Sequence, residues 1–356
     1  MSIRVGVIGC GDGGTCNALS LVRCGAEISA LSDMKVERMR TLEEQLEVPF
    51  GHTIRKYERY EDLVGDPDID LVVVTTQDDQ HLEPARRALT HGKWVFVEKP
   101  LETNLETLRE FAEIAKHTDR LLFSEKYSFA HPVARALELR ETLGRFFGGS
   151  TSYTMFNCDR IMGGGKWRTE IPYNPCAGGL SHNFMTALLF TQAPIVRITA
   201  VGQVNTYHEN LDREGGYDTM HGVLEFKSGQ ILSWQVCLSV KGPNSPFGHR
   251  TVTHTFQFEH GSLVYGPRPE SDMLIADGKP VWFAPEPEAD KWKEYNLGLL
   301  HLGMHQTDTL GVMSKSAVRR HTIKHGINVA AACILAFESA KNGGVWKEIP
   351  SEFQLI

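Results

Sequence analysis

The stretch VFVEKP, residues 95–100, is an apolar run that stops on a carboxylate, an amine and a proline. Proline lacks the N–H that a sheet ladder needs, so a strand must end here. A lysine desolvated at such an end has its pKa drawn toward neutrality. An amine of that kind can take the proton a hydroxyl sheds when a hydride leaves the carbon beside it. The plainer reading of Glu98 and Lys99 is a solvated ion pair worth little. Their place among the neighbouring elements argues otherwise.

Gly9, Gly11 and Gly14 stand at G-x-G-x-x-G spacing in GCGDGG. With 33 glycines in the chain, that spacing alone is weak. Here it follows an apolar strand and opens a helix, as a dinucleotide fingerprint requires. Gly9 suits the tight turn, Gly11 the approach of a pyrophosphate and Gly14 close helix packing. Cys10, Asp12 and Gly13 complete the loop, and the helix N-terminus offers N–H groups to an anion. Asp33 ends the next strand, where a carboxylate binds ribose hydroxyls and repels a 2′-phosphate. NAD is therefore favoured over NADP, although Lys35 lies close by.

These residues need a sheet to position them. Strand patterns at 3–9, 26–33, 69–76, 93–99 and 120–127 alternate with helical patterns at 14–24, 35–47, 80–92 and 103–118, the last with Thr103 as N-cap. The expectation is a doubly wound parallel sheet of six strands, the one over 120–127 being the sixth. Its C-terminal edge would gather the glycine loop, Thr75, Thr76 and the Glu98–Lys99 pair. After residue 128 a helix over 131–144 leads into β patterns at 146–157, 196–207, 219–240 and 252–266. FKSGQI and FEHGSL read as hairpin turns, 267–295 is turn-rich, and a helix is expected over 316–342. This predicts a Rossmann domain over 1–127 and an α+β domain over 128–356 with a large, mostly antiparallel open sheet. The 316–342 helix is a candidate to pack back toward the first domain.

The chain has 356 residues, 41% apolar and 23% charged, a length suited to two domains. No run of ~20 apolar residues suggests a membrane span. A net charge of −7 without a basic cluster argues against nucleic acid. Seven scattered cysteines without a C-x-x-C pair read as reduced thiols, and the start MSIRVGVIGCG enters structure directly, so a cytoplasmic protein is expected. Cys10 could be oxidation-sensitive, but a small fitting residue is the simpler reading. His301/His305 and His321/His325 are i, i+4 pairs without a third ligand, and no metal is expected.

The segments VGVIGCGDGG, DIDLVVVTTQDDQH, HGKWVFVEKPLETN and GGLSHN resemble, in order and spacing, the Gfo/Idh/MocA family of NAD(P)-dependent oxidoreductases, which includes glucose–fructose oxidoreductase and inositol dehydrogenase. The resemblance implies hydride transfer between NAD(P) and a secondary alcohol of a sugar, cyclitol or glycoside. It also implies a homo-oligomer, dimer or tetramer, joined through the second sheet. Lys99 then touches substrate and takes part in proton transfer, Glu98 helps hold the nicotinamide side, and Pro100 is often cis. His81 resembles the histidine after the family's T-P turn, where Gln77 replaces the proline. Lys126 and Tyr127 are expected to line the site, Lys126 on the cofactor side.

The family's D-x-x-x-H-x-x-D helix is altered in AGGLSHNFMTALLF, residues 177–190. Aligned on the glycines, His182 takes the first aspartate position, Thr186 the histidine and Leu189 the second aspartate. A one-turn gap would instead set His182 on the family histidine. In either register His182 is the acid/base candidate of that face, with Asn183 and Thr186 as ligands for substrate hydroxyls. In the long segment 158–176, Trp167 could stack on a sugar and Arg168 bind hydroxyls or a carboxylate. An ordered loop at a subunit contact is an equal alternative. Two other functions stay open. One is a glycoside lyase or hydrolase using NAD for transient oxidation, and the other a non-catalytic NAD and sugar sensor.

Overall fold

A computed structural model describes residues 2–46, 53–156, 158, 173–211, 215–240, 250–266, 272–281, 300–317 and 319–356. The chain divides into two compact units, Met1–Lys126 with Glu294–Ile327, and Tyr127–Lys293 with Asn328–Ile356. The sequence-based division assigned everything after 127 to the second domain. Residues 294–327 instead belong to the first unit. The helix expected over 316–342 is Ile323–Lys341.

The first unit alternates strand and helix: β1 (Arg4–Ile8), α1 (Asp12–Arg23), β2 (Glu27–Ser32), α2 (Val36–Gln45), β3 (Arg55–Tyr57), α3 (Tyr60–Gly65), β4 (Leu71–Val74), α4 (Leu82–Thr90), β5 (Trp94–Val97), α5 (Leu105–Ala115) and β6 (Leu121–Phe123). All six strands are parallel, in the order β3-β2-β1-β4-β5-β6. The chain reverses its winding between β1 and β4, the switch point where such sheets bind ligands at the strands' C-terminal ends. Every residue of β4 is buried, as a central strand with two covered faces requires. The N-cap of α5 is Asn104, not Thr103. Its Oδ1 accepts from the Thr107 amide at 2.9 Å. A short helix, Leu300–Met304, continues as a wider π-turn segment, His305–Gly311, and packs on α1.

Among its described residues the second unit has nine strands: β7 (Phe146–Phe156), β8 (Ile195–Gln203), β9 (Thr219–Phe226), β10 (Ile231–Val240), β11 (Arg250–Phe258), β12 (Gly261–Tyr265), β13 (Met273–Ala276), β14 (Lys279–Val281) and β15 (Lys347–Glu348). Their order is β14-β13-β12-β11-β7-β10-β9-β8-β15. Among the described residues only β7 and β10 pair in parallel, so the sheet is open, mixed and mostly antiparallel. Both expected hairpins form, and Gly229 takes the positive φ of 89° that the β9–β10 turn needs. The helix Ser181–Thr191 is buried from Ser181 through Phe190 and packs on β7. Phe190 meets Phe256 and Phe258 with ring centroids 5.8 and 5.0 Å away, so the aromatic core lies on the helix side of the sheet.

Candidate active site

The glycine loop is shaped by what a side chain would strike. A Cβ on Gly9, where φ is 91°, would lie 2.4 Å from the Thr75 carbonyl oxygen. A Cβ on Gly14 would lie 2.0 Å from the Gly9 carbonyl oxygen. Both positions are closed to any other residue. Gly11 differs: among the described residues no atom lies within 4 Å of its Cβ position, and it caps α1 without a side-chain hydrogen bond. Backbone at a helix N-terminus is thus presented to open space, as a pyrophosphate site needs. Asp12 is the first residue of α1 and Gly13 the second.

The loop is braced from two sides. The Cys10 amide donates to Asp33 Oδ2 at 2.8 Å, and the Lys35 amide donates to Asp33 Oδ1 at 2.8 Å. Thr75 sets its hydroxyl 2.6 Å from the Gly9 carbonyl oxygen. Thr76 donates to the Gln80 carbonyl at 2.8 Å and closes the turn after β4. Burial, with Asp33 beside it, pushes the Cys10 thiol up to about 12, so this cysteine is inert rather than redox-active.

Glu98 sits beyond β5 and gathers three donors. The Lys99 amide reaches Oε2 at 2.7 Å, while Asn17 Nδ2 and the Ser124 hydroxyl reach Oε1 at 3.2 and 3.1 Å. Burial pushes this carboxyl up, but Lys126, Lys99 and His301 draw it down to about 2. The Lys99–Pro100 peptide is cis. His81, buried at the start of α4, donates from Nδ1 to the Pro100 carbonyl at 2.9 Å and so braces the turn that carries Lys99. Lys126 is buried, with its amine 3.2 Å from His301 Nε2.

In the second unit the ring centroids of Tyr127 and His182 lie 4.6 Å apart. Asn183 is buried and donates to Thr151 Oγ1 at 2.7 Å and to the Ser152 carbonyl at 3.0 Å. Thr186, also buried, donates back to the His182 carbonyl at 3.0 Å. The expected substrate ligands Asn183 and Thr186 thus spend their donors inside the unit, Asn183 tying the helix to β7. The helix is preceded by a π turn, Cys176–Leu180, whose Gly179 packs on Tyr153, where a Cβ would lie 2.6 Å from the ring. Trp167 and Arg168 lie outside the described residues.

Residues 3–126 match the model of an oxidoreductase family with an NAD-binding Rossmann fold, GFO_IDH_MocA. The match spans the glycine loop and the six-stranded sheet of the first unit. A myo-inositol 2-dehydrogenase from Thermotoga maritima is 29% identical over 236 residues, 64% of this chain and 66% of that protein. A 1,5-anhydro-D-fructose reductase from Ensifer adhaerens is 27% identical over 191 residues, 52% of this chain and 56% of that protein. The chain thus spans less than two thirds of the length of these two curated relatives. The structure of scyllo-inositol dehydrogenase from Lactobacillus casei, with bound NAD(H) and scyllo-inositol, superposes with a TM-score of 0.78 over 98% of this chain and 99% of that one. At 16% identity this is a likeness of fold.

The first unit connects Gly9, Cys10, Gly13, Asp33, Thr75 and Glu98 through hydrogen bonds, with Lys126 drawn to Glu98 by charge. Tyr127, His182, Asn183 and Thr186 cluster in the second. Sequence reasoning missed Asn17, Ser124, His301 and His305. Asn17 carried a usable signal: a polar residue three positions after Gly14, buried in the helix that the loop opens. The two histidines were read only as a possible metal pair. Each instead has its own polar partner, Lys126 for His301 and Asn17 for His305.

Proposed function

We propose that this chain is an NAD-dependent dehydrogenase of a secondary alcohol in a sugar, cyclitol or related polyol. The observation that carries it is Glu98. This carboxylate, held ionised, joins the turn bearing Lys99 to the glycine loop through Asn17. The Gly11 backbone, the start of α1 and Asp33 fit the pyrophosphate and ribose of a dinucleotide. Bound NAD supplies the hydride acceptor. Lys99 Nζ takes the hydroxyl proton, and Glu98 fixes the Lys99 backbone through its amide. His182 is the second proton-transfer candidate, and Tyr127 packs on its ring. The Asp33 charge supports NAD over NADP. The inositol and anhydrofructose enzymes among the relatives support a cyclic polyol substrate.

The altered helix, with Thr186 buried and hydrogen-bonded to His182, keeps transient oxidation of a glycoside as a second reading. One assay separates the two. The protein is incubated with NAD+ and a panel of inositols, sugars and glycosides, and nicotinamide absorbance is followed. Sustained NADH formation supports the dehydrogenase, and substrate loss without NADH the second reading. Lys99→Ala should still bind NADH while turnover falls by roughly 10²–10⁴, the range for loss of a general base. Full turnover in that variant would remove Lys99 from the mechanism.

Association of copies through the second sheet is also part of this reading. Val201, His221, Ser233, Ser150 and Thr255 are exposed along one face of adjoining strands. Light scattering that gave only a monomer would exclude it.

A further inference from the structure

Beside the Rossmann sheet, within the first unit, a buried relay begins at His305. Its ring is completely buried in the π-turn segment, with Nε2 2.8 Å from Asn17 Oδ1 and Nδ1 3.1 Å from Thr309 Oγ1. The partners fix which nitrogen carries the proton. Asn17 turns its Nδ2 toward two acceptors, the Gly13 carbonyl at 2.8 Å and Glu98 Oε1 at 3.2 Å. Its Oδ1 must therefore face His305, which must donate from Nε2 and accept the Thr309 hydroxyl at Nδ1. Burial drives the His305 pKa down to about 3, with Glu98 opposing and Lys126 adding to the shift, so the ring is neutral at physiological pH. The ring's single proton, at Nε2, satisfies Asn17 Oδ1 in that amide orientation. That orientation presents one N–H₂ group to the glycine loop and the β5 carboxylate together.

We propose that His305 is a positioning residue for hydride transfer, acting through Asn17 to hold Glu98 and the Gly13 carbonyl in register. This rests on the dehydrogenase reading and deepens it. The lever is specific. If His305 ceases to donate, the buried Asn17 Oδ1 loses its partner, and the amide can shift off the Glu98 carboxylate and the Gly13 carbonyl to recover one. Both ends of the cofactor cradle then lose their shared donor. Phe96 of β5, its ring centroid 4.9 Å from that of His305, keeps the imidazole from escaping to another partner.

The test uses the full chain and NADH as the probe, with fluorescence titration for affinity and thermal unfolding read in parallel. His305→Leu keeps the bulk and removes the donor. It should weaken NADH binding by roughly tenfold, the size of one lost buried hydrogen-bond link. Asn17→Ala should do the same. The double variant should be no worse than the poorer single, because both break one relay. His305→Gln, whose amide can donate, should stay within about threefold of the parent, a rescue that packing alone would not produce. Thr309→Val offers a milder break should His305→Leu not fold, with an expected loss of about threefold. Unchanged NADH affinity in folded His305→Leu or Thr309→Val overturns the proposal, as does strict additivity with Asn17→Ala. NADH binding by the parent chain separates the two claims. If the parent fails to bind, the dehydrogenase reading falls; if only the variants bind as the parent does, the role of His305 falls.

Discussion

The Asp33 carboxylate and the Cys10 amide lie 2.8 Å apart and join the end of β2 to the glycine loop. The second carboxylate oxygen accepts the Lys35 amide, so the group is held from both sides at the end of β2. Arg38 Nη1, at 3.8 Å, is the nearby cation that moderates it.

Replacing that charge should relax discrimination between the two nicotinamide dinucleotides. Asp33→Asn keeps an acceptor for a backbone amide but no longer repels a 2′-phosphate. The ratio of the NADP+ to the NAD+ dissociation constant should fall by at least about tenfold, a like-charge clash being worth ~1–3 kcal/mol. Titration of both cofactors against parent and variant gives the ratio directly. An unchanged ratio would mean that Asp33 braces the loop without selecting the cofactor.

Glu102 lies just beyond the Lys99–Pro100 turn and is almost wholly buried, with Oε2 accepting the Thr103 amide at 3.1 Å and Oε1 without a partner. Burial raises its pKa from 4.5 to about 7, with Asp79, Glu110 and Asp78 adding to the rise and the Thr103 amide opposing it. The unfolded carboxyl gives up its proton at lower pH than the folded one. Stability is therefore lost as pH rises from 4.5 to about 7. Glu102→Gln keeps the Thr103 acceptor and cannot ionise. Urea unfolding should show it more stable than the parent by roughly 1–3 kcal/mol at pH 8 and equal to it near pH 4.5. Equal stabilities at both pH values would contradict the buried-acid account.

The first unit was legible in the sequence because its strands are central, apolar and punctuated by glycine. β3 was not: Arg55, Lys56 and Tyr57 form an edge strand that is only partly buried, so no apolar run marks it. β13 and β14 lie in turn-rich sequence, and β15 has two residues. The return of Leu300–Gly311 to the first unit had no local signature. Its histidines meet partners 175 and 288 positions away, and i, i+4 spacing says nothing about such contacts. The strand end at VFVEKP was readable because proline and two charges interrupt a buried strand. The residues that hold Glu98 in place were less readable, since Asn17 and Ser124 are ordinary polar residues until the strand ends bring them together.

His321, of the second histidine pair, ties two parts of the first unit together. His321 is buried, its Nδ1 2.8 Å from Asp308 Oδ2 and its Nε2 2.9 Å from the Phe123 carbonyl. Both ring nitrogens lie against oxygens, an arrangement that favours the protonated ring. Burial opposes that charge, but Asp308, Glu125 and the Phe123 carbonyl outweigh it, and the His321 pKa is raised above 6.5. A histidine whose folded pKa exceeds its unfolded value stabilises the fold fully below pH 6.5, and that contribution is lost as pH climbs through the raised folded value. Asp308→Asn removes the anion and leaves a buried cation unpaired. It should cost about 3–5 kcal/mol at pH 6, and the deficit should narrow at a higher pH, as the parent's own ring loses its proton. Chemical denaturation at both pH values measures the gap. A deficit that does not change with pH would show that the ring is neutral in the fold and that packing, not the ion pair, fixes residues 308–321 against β6.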